Sequence, residues 1–143
     1  ALEYLNDFYL KWSDNDLVLE KWFEMMASLN FDDEGIDFIK NLMEHKSFDI
    51  KSPNKLRSVL GTFQRENVLL FHAEDCSGYN FISEQISIID KKNPQAAARL
   101  VLPLTRFKNY NEDRKDKIRK ALKNIVKQKA SNDLSEIIEK ALN

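Results

Sequence analysis

The sequence has little of the material from which catalytic and metal sites are usually built. Its 143 residues include one cysteine, two histidines, three glycines and three prolines. One cysteine cannot form an internal disulfide, which favours a reducing, cytoplasmic location. So few glycines and prolines cannot punctuate many strands and turns, whereas the helix-favouring residues Leu, Lys, Glu and Ala are abundant. The composition therefore predicts a helical protein.

Two further features are missing. No apolar run approaches the roughly 18 residues that a membrane span requires, and the first residues lack the charged-then-apolar order of a signal peptide. The formal net charge is only -1, which gives no overall attraction to nucleic acid or to a membrane. We therefore expect neither a membrane nor a nucleic acid as a partner. Because the chain starts within an amphipathic pattern and without methionine, we interpret it as part of a longer polypeptide.

What the sequence does contain is typical of a globular domain. Apolar residues make up 43% of the chain and aromatic residues 10%. At this length such a chain can bury a substantial core. We therefore expect a single domain that covers residues 1–143.

The charges are distributed unevenly. Residues 1–50 carry twelve acidic and four basic residues, whereas residues 106–129 carry ten basic and three acidic ones. A basic helix can bind RNA, but residues 111–130 contain no aromatic side chain that could stack on bases. The same segment has an apolar stripe at helical spacing, which predicts that its lysines only cover the solvated face. The stripe comprises Ile118, Ala121, Leu122, Ile125 and Val126.

The apolar pattern predicts one helix after another, and sustained period-two alternation, the mark of a strand, does not occur. The predicted helices are Leu2 to Trp12, Asn15 to Leu29, Glu34 to His45, one from Pro53, one through Phe81 to Ile89, one from Pro94 with an apolar pattern over Ala96 to Phe107, Asp113 to Lys129 and Asp133 to Leu142. Ser13 or Asp14 is the expected cap of the second helix, and Ser131 that of the last. The second helix is apolar around most of its circumference, so we expect burial on two sides.

Two predicted helices begin with the same sequence pattern. Ser52 precedes Pro53, and Asn93 precedes Pro94, so each helix has a capping residue followed by proline at its first position. The two prolines are 41 residues apart, close to the length of a HEAT repeat. This spacing predicts an all-α fold of seven to eight helices, stacked as antiparallel pairs in an α-α superhelix, or HEAT-like solenoid. A compact irregular helix bundle is the alternative.

The stretch FHAEDCSGYNF gathers most of the reactive side chains of the chain. It contains His72, Glu74, Asp75, Cys76 and Ser77. A Cys-His pair can act as a nucleophile and its base, but a third group must orient the base. The Ser-Gly pair is instead typical of a helix start, so we interpret the stretch as a connector in which Asp75 or Ser77 caps the following helix.

The remaining histidine has a structural interpretation as well. His45 lies at the predicted end of the third helix, where positive charge favours the helix dipole. The two histidines are 27 positions apart, and no His-Glu-x-x-His motif is present. A zinc site needs three or four converging ligands, so we expect no metal and no cofactor in this chain.

Several strings together resemble a known family. They are NDFYLKW, DLVLEKWF, SPNKLRSVLGTF, FHAEDCSGYNFI, NPQAAARL, LTRFKNY and the terminal IIEKALN. In this order they resemble the C-terminal helical domain of the bacterial aminopeptidase N family, the alanyl aminopeptidases of the gluzincin class. The resemblance covers the whole chain, although the family's domain is longer. It departs at Cys76, where the family typically has glycine, which argues against a required nucleophile.

The resemblance implies a noncatalytic domain of a zinc aminopeptidase. In that family the domain packs over the catalytic domain of the same polypeptide, encloses the zinc site and limits access to peptides with free N-termini. The zinc ligands, the catalytic glutamate and the transition-state tyrosine belong to an earlier domain and have no counterparts here. The parent enzyme would use zinc and peptide substrates, whereas this chain alone is expected to be inactive.

Three residues are candidates for lining the substrate channel. The positions of Arg57 and Arg99 resemble those of cavity-lining basic residues in the family, and Gln95 precedes Arg99 by one turn. A guanidinium could bind peptide carbonyls or a terminal carboxylate through paired hydrogen bonds. Surface or interhelical salt bridges are the alternative role of both arginines. Pro103 should bend its helix, and we expect the bend to aim Arg99 at the cavity.

Two other functions remain open. A free-standing helical-repeat module would bind a partner protein on its concave face. An independent Cys-His hydrolase would depend on Cys76. An upstream His-Glu-x-x-His motif would decide for the aminopeptidase domain.

Overall fold

The computed structural model describes residues 2–12, 14–29 and 35–143, and within its first helix the side chains of residues 6–11. In these ranges all regular structure is helical, which confirms the predicted all-α class. The helices are α1 (Leu2–Trp12), α2 (Asp16–Ser28), α3 (Ile36–Met43), α4 (Pro53–Leu56), α5 (Thr62–Glu66), α6 (Val68–Phe71), α7 (Ser77–Lys92), α8 (Pro94–Leu100), α9 (Leu102–Thr105), α10 (Glu112–Lys127) and α11 (Asn132–Leu142).

One helix contains a wider turn. A π-helical turn, Arg57–Gly61, joins α4 to α5 without interruption, so residues 53–66 form a single helix. Ten separate helices are therefore present in the described ranges, compared with the seven to eight expected. The one-turn helices α6 and α9 account for the excess, because runs of four residues are too short to produce a clear helical period.

The chain divides into two compact units, residues 1–70 and residues 71–143. In the first unit, α2 packs against α1, α3 and the helix of residues 53–66. In the second, α7 packs against α8 and α10, and α11 packs against α8 and α10. The prediction of one domain over residues 1–143 stays a prediction.

The core of the first unit is built around α2. Trp22 is 3% exposed and Phe23 is fully buried, and their rings meet edge to face with centroids 5.0 Å apart. The packing of α2 against α1, α3 and the helix of residues 53–66 agrees with the expected burial on two sides, although Leu17 is 74% exposed and Met25 lies at the surface. Apolar residues on a helix are buried only where a neighbouring element covers them.

The start of α2 corrects a predicted cap. The Asn15 side chain accepts a hydrogen bond from the Val18 N–H (3.2 Å), so Asn15 is the N-cap rather than Asp14. The alternative cap, Ser13, lies outside the described residues, as does Glu34, the predicted start of the third helix. Asparagine and aspartate are equally good caps, so the sequence alone could not select between adjacent positions.

Both predicted helix starts with a capping residue followed by proline are confirmed. The Ser52 side chain accepts from the Lys55 N–H (3.3 Å), with Pro53 in the first turn. The Asn93 side chain accepts from the Ala96 N–H (3.1 Å), with Pro94 in the first turn. Each cap satisfies one of the N–H groups that a helix start leaves without an intrahelical partner.

Polar residues are also buried in the first unit. The Lys55 ammonium lies 3.6 Å from a carboxylate oxygen of Asp16 and 3.7 Å from one of Glu20. The Asn67 amide donates to the carbonyls of Ala27 (3.1 Å) and Leu29 (2.9 Å). A buried charge or amide needs such partners, and these contacts tie the helix of residues 53–66 and its end to α2.

The core of the second unit follows the predicted stripe. Ile118, Ala121, Leu122 and Ile125 of α10 are buried, and Val126 is half-buried. They face the apolar side of α7 and α11, whose buried residues include Ile82, Ile86, Ile89, Leu134 and Ile138. Burial of this stripe against neighbouring helices is what orders a helix with so many charges.

The helical segment after Pro94 is interrupted near Pro103, where the sequence predicts a bend. A bent helix from Ala96 to Phe107 was expected, but α8 ends before Val101 and α9 begins after it. Pro103 lies in the first turn of α9, where it needs no N–H partner. The Val101 N–H still donates to the Ala97 carbonyl (3.0 Å), so the chain leaves the helical register only where proline prevents its continuation.

Candidate functional site

The first predicted channel residue lies at the π-helical turn. Arg57 is the first residue of that turn, and its side chain is exposed. Its backbone N–H donates within α4, so the helix fixes the direction in which the side chain leaves the backbone. Arg57 belongs to the first compact unit.

The other two predicted residues share one helix in the second unit. Gln95 and Arg99 are four positions apart on α8 and both are exposed. Residues at this spacing lie on the same face of a helix, so an amide and a guanidinium are presented side by side. The interruption at Val101 follows directly, but its effect on the direction of the Arg99 side chain stays a prediction.

The FHAEDCSGYNF stretch forms a polar cluster around His72. His72 Nδ1 is hydrogen-bonded to the Tyr79 hydroxyl, and His72 Nε2 lies 3.4 Å from the Tyr110 hydroxyl. Arg114 stacks on the Tyr110 ring, 5.9 Å from its centroid. His72, Tyr79 and Arg114 border a polar cavity of about 250 Å³ together with other residues of the α10 start. The cluster joins the connector before α7 to the segment before α10.

The environment favours uncharged forms of both main members of this cluster. Burial, and then the nearby Arg114, lowers the pKa of His72 from 6.5. Burial raises the pKa of Tyr79 to about 12. A neutral imidazole has one N–H, so one tyrosine hydroxyl donates to the ring and the other accepts from it. At neutral pH His72 and Tyr79 therefore form an uncharged hydrogen-bonded pair.

Cys76 has the surroundings of a connector residue, as predicted. Its thiol lies 4.0 Å from the Glu74 carbonyl, to which it donates, whereas both His72 nitrogens face tyrosine hydroxyls. The Asp75 carboxylate accepts from the Ser77 N–H (2.9 Å) at the start of α7, and hydrogen bonding to Ser77 lowers the pKa of Asp75. Cys76 itself is in the left-handed region, with φ of 67°. Glycine adopts this conformation most easily.

The predicted electrostatic role of His45 is wrong. Its Nδ1 accepts a hydrogen bond from the Ser47 N–H (3.1 Å), and its ring packs 4.8 Å from the Tyr9 ring and 5.2 Å from the Trp22 ring. Burial, and then Lys46, lowers the pKa of His45 from 6.5. An acceptor nitrogen among aromatic rings favours the neutral form, so packing decides its state rather than the helix dipole.

Neither a metal cluster nor a membrane span is found in the part of the chain that the structure describes. No three or more His, Cys, Asp and Glu side chains there are placed to hold a metal ion. In the same ranges no helix has the length and apolar character needed to cross a bilayer.

The exposed face of α10 is basic, and part of its charge is paired within the helix. Lys117 pairs with Asp113 (3.1 Å) and Arg119 with Asp116 (2.9 Å). An open groove of about 580 Å³ runs beside Lys120 and the start of α7. Exposed ion pairs of this kind contribute little to stability, and they partly neutralise the basic face, which the sequence pattern predicts to be a solvated surface.

One residue of interest escaped the sequence analysis. Arg65 is exposed on the same helix as Arg57, eight positions later, and its guanidinium lies against Gly61. The available signal was the spacing of two arginines around a glycine. Residues eight positions apart are rotated by about 80° around a regular α-helix, so this spacing alone is a weak signal.

The fold and these surface residues first define the class of protein to which the chain belongs. It is an all-α module that carries exposed cationic side chains on its helices. The family follows from comparison. A family model described as "Domain of unknown function (DUF3458_C) ARM repeats" matches residues 1–143, and the chain belongs to this family. Armadillo repeats are stacked helices, which agrees with the predicted helical-repeat architecture.

Proteins similar to this chain include bacterial aminopeptidases. Aminopeptidase N of Haemophilus influenzae is 41% identical over 139 residues, which are 96% of this chain and 16% of the relative. Aminopeptidase N of Escherichia coli is 41% identical over 133 residues, 92% of this chain and 15% of the relative. A crystal structure of Legionella pneumophila aminopeptidase A in complex with aspartic acid has a TM-score of 0.89 and 30% identity, over 96% of this chain and 16% of that one.

These comparisons confirm the resemblance to the C-terminal helical region of aminopeptidase N. The matching part of the curated relatives is their C-terminal portion. The chain thus spans about one sixth of the length of the relatives that it matches.

Proposed function

We propose that this chain is the noncatalytic C-terminal domain of a zinc aminopeptidase that removes N-terminal residues from peptides. The observation that carries the proposal is the match of 96% of the chain to the C-terminal portion of aminopeptidase N at 41% identity. The zinc ligands and the catalytic residues then belong to the preceding part of the same polypeptide. The single cysteine supports a cytoplasmic location for it.

In this proposal the domain packs over the catalytic part and controls which substrates reach it. Donors on helices suit that task, because the helix fixes where each side chain leaves the backbone before the substrate arrives. Arg57, Gln95 and Arg99 are such donors, and all three are exposed. A guanidinium can bind a peptide carbonyl or carboxylate through two parallel hydrogen bonds.

The proposal can be tested with this chain alone. We expect a helical circular-dichroism spectrum, no stoichiometric zinc binding by equilibrium dialysis, and no release of product from aminoacyl chromogenic substrates. Measurable turnover that disappears in Cys76→Ala or His72→Gln would contradict the proposal and favour an independent hydrolase.

A second test distinguishes the proposal from a free-standing helical-repeat module. The coding sequence upstream of this segment should encode a His-Glu-x-x-His motif followed by a further glutamate, because these residues bind zinc and activate water in such peptidases. A stop codon or an unrelated domain in that place would favour the binding module.

A further inference from the structure

The polar cavity beside His72 is bordered by charges of both signs. Its volume is about 250 Å³, and Glu74, Asp113, Arg114 and Lys117 are among the residues that line it. All of them belong to the second unit, with Glu74 in the connector before α7 and the other three in the first two turns of α10. Sites for drug-sized ligands usually have volumes of about 300–1,000 Å³, so this cavity suits a smaller molecule.

Arg114 forms the cationic border of the cavity. Its guanidinium carbon lies 5.9 Å from the centroid of the Tyr110 ring, and the Tyr110 hydroxyl lies 3.4 Å from His72 Nε2. In the part of the chain that the structure describes, no carboxylate oxygen lies within 4.0 Å of this guanidinium. An aromatic ring attracts a cation but does not neutralise it. A positive charge therefore remains uncompensated at this border.

The opposite charge gathers around Lys117. The Lys117 ammonium lies 3.1 Å from a carboxylate oxygen of Asp113 and donates to the Glu74 backbone carbonyl (3.1 Å). The hydrogen bond to Asp113, and to a smaller degree the charge of the Glu74 carboxylate, raise the pKa of Lys117. Among the described residues, no cationic nitrogen lies within 4.0 Å of that carboxylate. Two carboxylates thus surround one ammonium, and one negative charge remains.

Other polar groups of the cavity wall already have partners. His72 Nδ1 is hydrogen-bonded to the Tyr79 hydroxyl, and the Asn111 side-chain oxygen accepts from the Arg114 N–H (2.8 Å). A ligand is therefore recognised mainly by the two uncompensated charges, which have opposite signs.

We propose that this cavity binds a free amino acid, with its α-carboxylate on Arg114 and its α-ammonium on Glu74. A guanidinium can donate two parallel hydrogen bonds to a carboxylate, and an ammonium donates strong hydrogen bonds to a carboxylate. A ligand with both charges compensates both borders at once, whereas an anion leaves Glu74 without a partner and a cation leaves Arg114 without one. The site depends only on residues of this chain and not on the proposed function.

NMR titration of this chain with three related compounds tests the site. L-alanine carries both charges, N-acetyl-L-alanine keeps only the carboxylate, and L-alaninamide keeps only the ammonium. We expect L-alanine to bind at least about tenfold more tightly than either of the other two, since each of them lacks one charged contact. The imidazole signals of His72, which borders the cavity, should shift, whereas those of His45 in the first unit should not.

Two variants assign the ends of the ligand. Arg114→Gln should weaken binding of L-alanine by about tenfold and leave the affinity for L-alaninamide nearly unchanged. Glu74→Gln should weaken binding of L-alanine by a similar factor and leave the affinity for N-acetyl-L-alanine nearly unchanged. Arg106→Gln and Glu136→Gln are the matched controls, because they remove exposed charges of the second unit that do not border the cavity. Both controls should leave all three affinities unchanged.

The comparison of the three compounds decides the matter even if a variant fails to fold. The absence of a saturable shift of the His72 signals with L-alanine would overturn the site. Equal affinity for L-alanine and N-acetyl-L-alanine would show that Arg114 binds an anion alone, and would overturn the amino acid as the ligand. Unchanged affinity for L-alanine in a folded Arg114→Gln or Glu74→Gln variant would also overturn the proposal.

Discussion

Asp90 holds the start of the last helix through two hydrogen bonds to Ser131. One carboxylate oxygen accepts from the Ser131 backbone N–H at 2.7 Å, and the other accepts from the Ser131 hydroxyl at 2.6 Å. The same hydroxyl oxygen accepts from the Leu134 N–H (3.4 Å) as the N-cap of α11. Because Asp90 lies near the end of α7 and is only 5% exposed, this pair fixes α11 against α7.

Removing this carboxylate should be costly. We expect Asp90→Ala to lower the free energy of unfolding by about 2–4 kcal/mol, because two donors at a buried helix start lose a charged acceptor. Ser131→Ala should cost about 1–2 kcal/mol, since the backbone N–H still reaches Asp90. Urea unfolding measures both, and Asp116→Ala, at an exposed position, should change stability by less than about 0.5 kcal/mol. A small effect of Asp90→Ala would show that this pair does not hold α11.

Trp22 should be among the residues most important for stability. It is 3% exposed and packs on the rings of Tyr9, Phe23 and His45. Trp22→Ala should therefore cost about 3–5 kcal/mol through the cavity that it leaves. Thermal unfolding followed by far-ultraviolet circular dichroism would measure this loss. Leu17→Ala on the same helix is the control, because a side chain that is 74% exposed should contribute little.

Cys76→Gly should lower the free energy of unfolding far less than Trp22→Ala does. The backbone conformation at Cys76 gives a reason to expect stabilisation instead. With φ of 67°, Cys76 holds a conformation that costs an L-residue about 1–2 kcal/mol and glycine almost nothing. Part of this gain is offset by the greater freedom of glycine in the unfolded chain. We expect a change between zero and about 1 kcal/mol of stabilisation in chemical unfolding. Cys76→Ala keeps the strain, so a glycine variant less stable than the alanine variant would contradict this account.

The histidines should make stability depend on pH. The folded pKa of His72 is lowered from 6.5, mainly by burial, so between the folded and unfolded pKa values the unfolded chain binds more protons. The free energy of unfolding should therefore be highest above pH 6.5 and fall as the pH drops below it. His72→Gln should flatten this dependence when urea midpoints are compared between about pH 7.5 and pH 5.

His45 contributes to the same pH dependence with the same sign, because its pKa is also lowered by burial. His45→Gln is therefore a parallel variant, and the double variant should be flatter than either single one. A pH dependence that is identical in wild type and double variant would show that other groups cause it.

Arg99 should matter most for long substrates. The proposed function predicts that Arg99→Ala in the full-length polypeptide lowers kcat/KM for longer peptides by an amount equivalent to about 1–3 kcal/mol, since a charged hydrogen bond is lost. Single-residue aminoacyl substrates should be hydrolysed almost normally, because they do not extend far from the metal. Equal losses for both substrate classes, or none for either, would assign Arg99 a purely structural role.

Local features were predictable from the sequence. The caps Ser52 and Asn93, the disturbance of the helix near Pro103 and the apolar stripe of α10 depend on residues within a few positions of each other, although a bend was predicted at Pro103 where the structure has two separate helices. Capping, missing N–H groups and helical periodicity act at that range. The candidate arginines were likewise visible as charged residues in early helical turns.

Three-dimensional packing decided which side chains are buried and which distant residues meet. Whether Leu17 is covered depends on which helices lie beside α2, and the neutral state of His45 depends on Tyr9 and Trp22, which are distant in sequence. The Asp90–Ser131 pair spans 41 positions, and the π-helical turn Arg57–Gly61 lies in an otherwise ordinary helical sequence. Local chemistry thus determined where helices begin and end. Burial of side chains and contacts between distant residues arose only when the helices packed together. The free energies of burial and of these contacts depend on neighbours that a linear sequence does not specify.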